Sequence, residues 1–306
     1  MTPVRACLGD TRAAFGLAIL GLLCASALLA PVISPADPSF QGDVLVTRFL
    51  SPFRAGPDGV MHWLGTDALG RDVLSRLVFG ARVSLAVGFL SVSVSVVLGA
   101  AVGMVSALAG GIVERALMAI TDAALAMPRL VLLLALVALW EPSFVLVILV
   151  LGLTGWMSIA RLARAEVKGL MHRPFADAAR ATGASRARLV AHHLLPNALT
   201  PLIVAAALGV GNAIMLEAGL SFLGLGVPAP APSWGSMIAN GRDALVNAPW
   251  IATIPGFAVA ITVVACNLLG DGLRDALDPV TRRAGRRVSG SAGRRSSGPT
   301  DRRTTT

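Results

Sequence analysis

His192 and His193 are adjacent and of a metal-binding type. No further histidine, cysteine or carboxylate stands at ligand spacing from them. A tetrahedral site normally takes four ligands, so the pair reads as polar loop residues and no metal site is assigned. Lys168, the only lysine, is preceded by Val167 and followed by Gly169. A phosphate-cradling loop needs Gly-Lys followed by Ser or Thr, so the chain lacks that route to ATP. Cys7, Cys24 and Cys266 make no spaced pattern, and no disulfide framework follows. With no nucleophile–base pair in view, no residue is given a catalytic role. Glu217 differs, because it lies near the end of a long apolar run. A charged side chain at mid-bilayer costs about 2.5–3.5 kcal/mol on insertion scales, so such residues usually face a cavity or a partner. Two readings stay open for Glu217: an acid beside a path through the membrane, or a residue at the outer interface. Asn212 and Asn267 are further path candidates.

The richest stretch runs from Asp177 to Pro196, polar and basic between two apolar runs. Pro174 suits the first turn of a helix, where a missing N–H costs nothing. Asp177 follows, its carboxylate near the positive end of the helix dipole. Ala178, Ala179, Arg180 and Ala181 are strong helix formers. Gly183 can take the left-handed conformation that ends a helix. Ser185 can cap a second helix from Arg186 to Leu195, which Pro196 ends or bends into the next segment.

The elements that position these residues are membrane spans. Over half the chain is hydrophobic (55%), only 14% is charged, and the mean hydropathy is +0.74. That composition excludes an ordinary soluble domain and predicts an all-α, polytopic membrane protein. Six apolar runs have the roughly 20 residues that a spanning helix needs. They cover about 13–33, 83–108, 116–140, 144–160, 197–220 and 250–269. The first is longer than a signal-peptide core and lacks a clear cleavage site, so it reads as a retained helix. Gly99 and Gly103 permit close helix approach, more simply within the chain than in a dimer. In the third run, Pro128 predicts a kink, and Asp122 and Arg129 should lie toward the inner end or face protein. With both termini inside, nineteen basic residues fall on the inner segments and six on the outer ones, which favours an N-in, C-in topology. The same distribution makes the net charge of +9 a matter of topology rather than of nucleic-acid binding. The tail from Thr281 to Thr306 is Arg, Ser, Gly and Thr with little apolar content. It should be disordered, either simply solvated or bound to anionic head groups.

The spacing Asp177-Ala178-Ala179, Gly183, His193, Leu195-Pro196 resembles the cytoplasmic "EAA" loop of the membrane subunits of ATP-binding cassette importers. It departs from that pattern in Asp for Glu at 177 and His for an apolar residue at 193. Two further strings are similar to the C-type permeases of dipeptide, oligopeptide and nickel importers. One runs from Leu64-Gly65-Thr66-Asp67 through Gly70-Arg71-Asp72, Ser75-Arg76 and Gly80-Ala81-Arg82 to Ser84-Leu85. The other runs from Glu217-Ala218-Gly219-Leu220 to Ser233-Trp234-Gly235, and the ending Asn267 to Pro279 also fits.

The resemblance implies a type I importer permease in a bacterial inner membrane, a non-catalytic subunit for peptides or nickel. Its implied partners are a second, homologous permease forming a heterodimer, two ATPase subunits that bind ATP and magnesium, an extracytoplasmic substrate-binding protein and the lipid bilayer. The loop over 166–196 would couple to the ATPase through Asp177, Ala178, Ala179, Arg180, Gly183, His193, Leu195 and Pro196. The expected organisation is a first helix and outer loop over 1–82, a five-helix core over 83–280 and the tail over 281–306. A stand-alone secondary transporter is the alternative. It would show an internal repeat and ionisable residues near the midplane, and neither is clear in the sequence.

Overall fold

The computed structural model describes residues 11–277 apart from 42, 58 and 184. The Arg-rich segment 281–306 and the pair Asp278-Pro279 lie outside the described residues. Helix dominates because in lipid every backbone group must be satisfied within its own segment. The chain opens with α1 (Thr11–Leu28) and a short α2 (Ala30–Ile33). A polar segment follows, with α3 (Val44–Thr47) and an antiparallel pair of two-residue strands, β1 (Arg54–Ala55) and β2 (Met61–His62). The core comprises α4 (Val73–Ala109), α5 (Gly111–Ala126), α6 (Arg129–Val137) and α7 (Phe144–Met171). After it come α8 (Pro174–Ala181), α9 (Arg186–Leu189) and a π turn (Val190–Leu194). The chain ends with α10 (Leu195–Phe222), α11 (Trp234–Gly241) and α12 (Trp250–Leu277). Among the described residues, α1, α4, α7, α10 and α12 are long and apolar enough to cross a membrane.

α5 and α6 meet that criterion only together, as a pair bent by 88° at its break, and make a sixth span if the pair is counted as one. The sequence predicts one kinked helix there, and the structure replaces it with two. Pro128 disfavours the helical conformation of the residue before it, and Met127 is accordingly extended, at ψ 134°. α4 starts at Val73 rather than near 83 because Asp72 caps it, accepting from the Ser75 backbone N–H at 2.7 Å. At about 1.5 Å per residue it is about 55 Å long, well beyond the roughly 30 Å hydrocarbon core, so it projects from the membrane.

Small residues let the helices meet. A Cβ at Gly99 would lie 2.5 Å from the Trp156 carbonyl oxygen, and one at Gly103 would strike Ala160 and Ala163. The pair therefore seats α4 on α7 within the chain. Gly16 meets Ala265 and Gly272 meets Ala13, so the start of α1 lies beside the end of α12. Both described termini thus lie on one side of the bundle.

Candidate functional site

The loop from Pro174 to Leu195 forms much as its sequence predicts. α8 begins at Pro174 with Asp177 in its first turn. Gly183 has φ +79° and open space around it. The Ser185 hydroxyl accepts from the Arg188 backbone N–H at 3.3 Å. The exit differs from the expected second helix over 186–195. α9 is a single turn, and a π turn joins it to α10, whose first turn contains Pro196. Pro196 has no N–H to offer the carbonyl four residues back, and widening the turn accommodates that loss.

The loop is fixed by its apolar side. Ala176, Leu189 and Leu194 are buried with Ala107 of α4, Val167 and Leu170 of α7 and Ala198 of α10. Three spans are thereby joined at one end. On the opposite side Phe175, Asp177 and Ala178 are exposed, as are Gly183, His193 and Pro196; Leu195 and Ala179 are half-buried, and Arg180 lies within α8. His193 tilts toward Phe175 at 6.4 Å between ring centroids, and its carbonyl accepts from Asn197 Nδ2 at 2.6 Å. A neighbouring ion cluster joins two spans: Glu114 of α5 takes Arg164 Nε of α7 at 2.6 Å and also Lys168. Asp122 lies 3.8 Å from Arg161, and both side chains are mostly exposed.

A second feature lies at mid-length of α4 and α7. It is a cavity of about 630 Å³ lined by Ser91 and Ser95 of α4, the α5–α6 break, Thr154 and Ser158 of α7 and Asn212 of α10. Arg129 opens onto it. Of the three path candidates, only Asn212 is among the lining residues. Asn267 is exposed on α12. The sequence reading did not put Arg129 on a path; an arginine directly after a proline within an apolar run was the available signal.

Glu217 is fully buried and has a different environment. It accepts from Ser221 Oγ at 2.8 Å and Ser233 Oγ at 2.9 Å, with Ser84 Oγ at 3.4 Å. Ser84 Oγ in turn accepts the Trp234 backbone N–H at 3.0 Å, and the Trp234 indole donates to the Leu77 carbonyl. A Cβ at Gly235 would fall 2.6 Å from Ala218 Cα. The two sequence strings therefore meet: one supplies Ser84 and the other Glu217, Ser221 and Ser233. The first string also builds the cap of α4. Asp72 holds His62 Nδ1 at 2.8 Å, and Asp67 pairs with Arg71 at 2.8 Å.

A family model described as "Binding-protein-dependent transport system inner membrane component" matches residues 95–283. The "Dipeptide transport system permease protein DppC" of Alkalihalophilus pseudofirmus is 38% identical over 263 residues, 86% of each chain. The "Di/tripeptide transport system permease protein DppC" of Pseudomonas aeruginosa is 40% identical over 270 residues, 88% of each chain. The "Oligopeptide transport system permease protein OppC" of Bacillus subtilis is 37% identical over 268 residues, 88% of this chain and 85% of that one. Among solved structures, an inward-facing form of the MetNI methionine ABC transporter shares the fold. Its TM-score is 0.55 at 23% identity, over 66% of this chain and 96% of that one.

Proposed function

This chain belongs to the inner membrane components of binding-protein-dependent transport systems, and we propose that the solute it passes is a short peptide. It is a non-catalytic, membrane-spanning permease subunit of an ATP-driven importer, with the type I permease fold. The family implies a partner permease, ATPase subunits and a substrate-binding protein in general. Here we take the partner to be a second, homologous chain forming a heterodimer, and the ATPase subunits to be two, binding ATP and magnesium themselves. The peptide class is favoured by the three relatives above, which carry peptides in their names; nickel draws no support from them.

One observation carries the mechanism: the exposed face of α8 sits on a loop whose buried face joins the ends of α4, α7 and α10. A push on α8 therefore reaches three spans at once. Closure of an ATPase dimer on that face would move those spans, and ATP need only stabilise one membrane conformation over the other. Asp177 offers the ATPase a carboxylate at the start of α8.

The test is ATPase turnover and tripeptide uptake by the assembled importer in proteoliposomes, with and without loaded binding protein. Ala178→Glu places a charge on the exposed face of α8, and Gly183→Pro is incompatible with φ +79°. Both should abolish stimulation by the loaded binding protein while the subunits still co-purify. Stimulation equal to wild type in either variant removes the loop from coupling. Uptake of a nickel chelate without uptake of tripeptide overturns the solute class.

A further inference from the structure

Arg129 sits at the first turn of α6, directly after the break in the membrane span. It is the only charged residue among those lining the cavity. Its Nε is buried with no hydrogen-bond partner, and Ser91 Oγ on the same cavity wall is also unpartnered. Among the described residues, no carboxylate lies within ion-pair distance of Arg129. Among the described residues, other buried or half-buried cations have polar partners: Arg71 and Arg76 pair with Asp67, Arg164 and Lys168 with Glu114, and Arg82 donates to the carbonyls of Ala27 and Leu28. A cation at membrane depth normally finds a partner or a cavity. Arg129 has the cavity and lacks the partner.

The surroundings leave room beside the guanidinium. Gly155 of α7 stands opposite, where a Cβ would lie 3.3 Å from an Nη of Arg129 and collide with Ser95 Oγ. A side chain at 155 would crowd the arginine. Asn212 and Ser158 add polar groups at the same level, and Leu132, Leu151 and Leu208 supply apolar wall. The volume, about 630 Å³, lies within the roughly 300–1,000 Å³ range of small-molecule sites.

We propose that Arg129 is an anionic subsite on the solute path, where its guanidinium takes the terminal carboxylate of a peptide in transit. A guanidinium fork matches a carboxylate through two parallel N–H···O bonds. Every linear peptide carries that carboxylate whatever its side chains, so one arginine serves a mixed population. Ser91 and Asn212 are placed to bond the adjoining polar backbone, and the apolar wall tolerates varied side chains. The inference rests on the reading of the chain as a peptide permease, so its test has an arm independent of transport.

The first arm compares uptake of trialanine and trialanine amide by the assembled importer, each supplied at saturation of the binding protein. Wild type should prefer the free carboxylate by about tenfold or more, the scale of a hydrogen-bonded charge pair. Arg129→Gln should bring that ratio to near one, and Arg129→Lys should retain much of it. A ratio unchanged in Arg129→Gln overturns the proposal. So does an equal loss for both peptides, the result expected if Arg129 pairs with a carboxylate of the partner permease. The second arm labels wild-type complex, free of binding protein, with phenylglyoxal and follows Arg129 by mass spectrometry. Propionate should slow the labelling several-fold and propionamide should not. No protection, or an Arg129 that the reagent never reaches, overturns the subsite. If neither peptide is transported but propionate protects, the peptide reading fails and the carboxylate site stands.

Discussion

Replacing Glu217 distinguishes a structural carboxylate from a transport residue. Its Oε1 accepts from Ser221 and Ser233 at 2.8 and 2.9 Å, and Oε2 faces Ser84 at 3.4 Å. In Glu217→Ala, Ser221 can turn its hydroxyl to a carbonyl of its own helix. The Ser84 contact is long and contributes little. Ser233 is left as a buried donor without an acceptor, at a cost of about 1–3 kcal/mol. The void beneath a fully buried side chain adds about 1–2 kcal/mol. A total near 3 kcal/mol lowers an unfolding midpoint by about 6–12 °C, at roughly 2–4 °C per kcal/mol for a chain of this order of size. Glu217→Gln keeps an acceptor for both close serines and can donate toward Ser84, so it should cost less than about 1 kcal/mol. Thermal unfolding of the purified complex, read by size exclusion after heating, measures both variants, and uptake is measured alongside. Gln should stay near wild type in both assays. Ala should lose uptake in proportion to lost complex. A Gln variant that is stable and does not transport would refute a purely structural role and return Glu217 to the path.

Two further changes test the frame around the site. Gly103→Leu forces a side chain into Ala160 and Ala163 and should cost about 1–3 kcal/mol through overpacking, whereas Gly21→Leu, with nothing within 4 Å, should leave the unfolding midpoint unchanged in the same assay. Asp72→Ala removes the cap of α4 and strands buried His62. It should lower stability by about 2–4 kcal/mol in total, and Asp72→Asn, which retains a capping oxygen, should lose visibly less.

The loop from Pro174 to Leu195 was legible because its rules are local. Pro174, Asp177, Gly183 and Ser185 each act on their own few residues, and each takes the expected role in the structure. The π turn before Pro196 was not legible, since the sequence shows a proline but not whether the chain stops or widens around it. Pro128 likewise announced a kink, but the 88° bend depends on what α6 packs against. Leu133 and Val137 of α6 are buried with Val147 and Leu151 of α7. The setting of Glu217 was beyond local reading for a similar reason. Its serine partners stand 4, 16 and 133 positions away, and only the fold brings them together. In the strings at 64–85 and 217–235 the Asp72 cap is local, three residues from the N–H it accepts, and went unread beside the turn signals. The rest of their content is tertiary: a buried carboxylate and the close approach of Gly235 to Ala218.

α7 ties the loop from Pro174 to Leu195 to the cavity. Its last turns hold α8 through Val167 and Leu170, and the Arg164 and Lys168 of the same stretch grip Glu114 in the first turn of α5. Farther along the same helix, Gly155 faces Arg129. A displacement of α8 is thus carried to α7 by packing and to the foot of α5 by the ion cluster. α5 can follow as a rod only as far as Met127, because the break removes the helical connection to α6. Beyond that point α6 is held to α7 by its own apolar contacts. In the proposed mechanism the break acts as a hinge beside the guanidinium, and rotation of α5 about it would change the width of the cavity wall that includes residues 124–129. Coupling and solute contact, in that proposed mechanism, meet at one place in the chain, the Met127-Pro128-Arg129 turn.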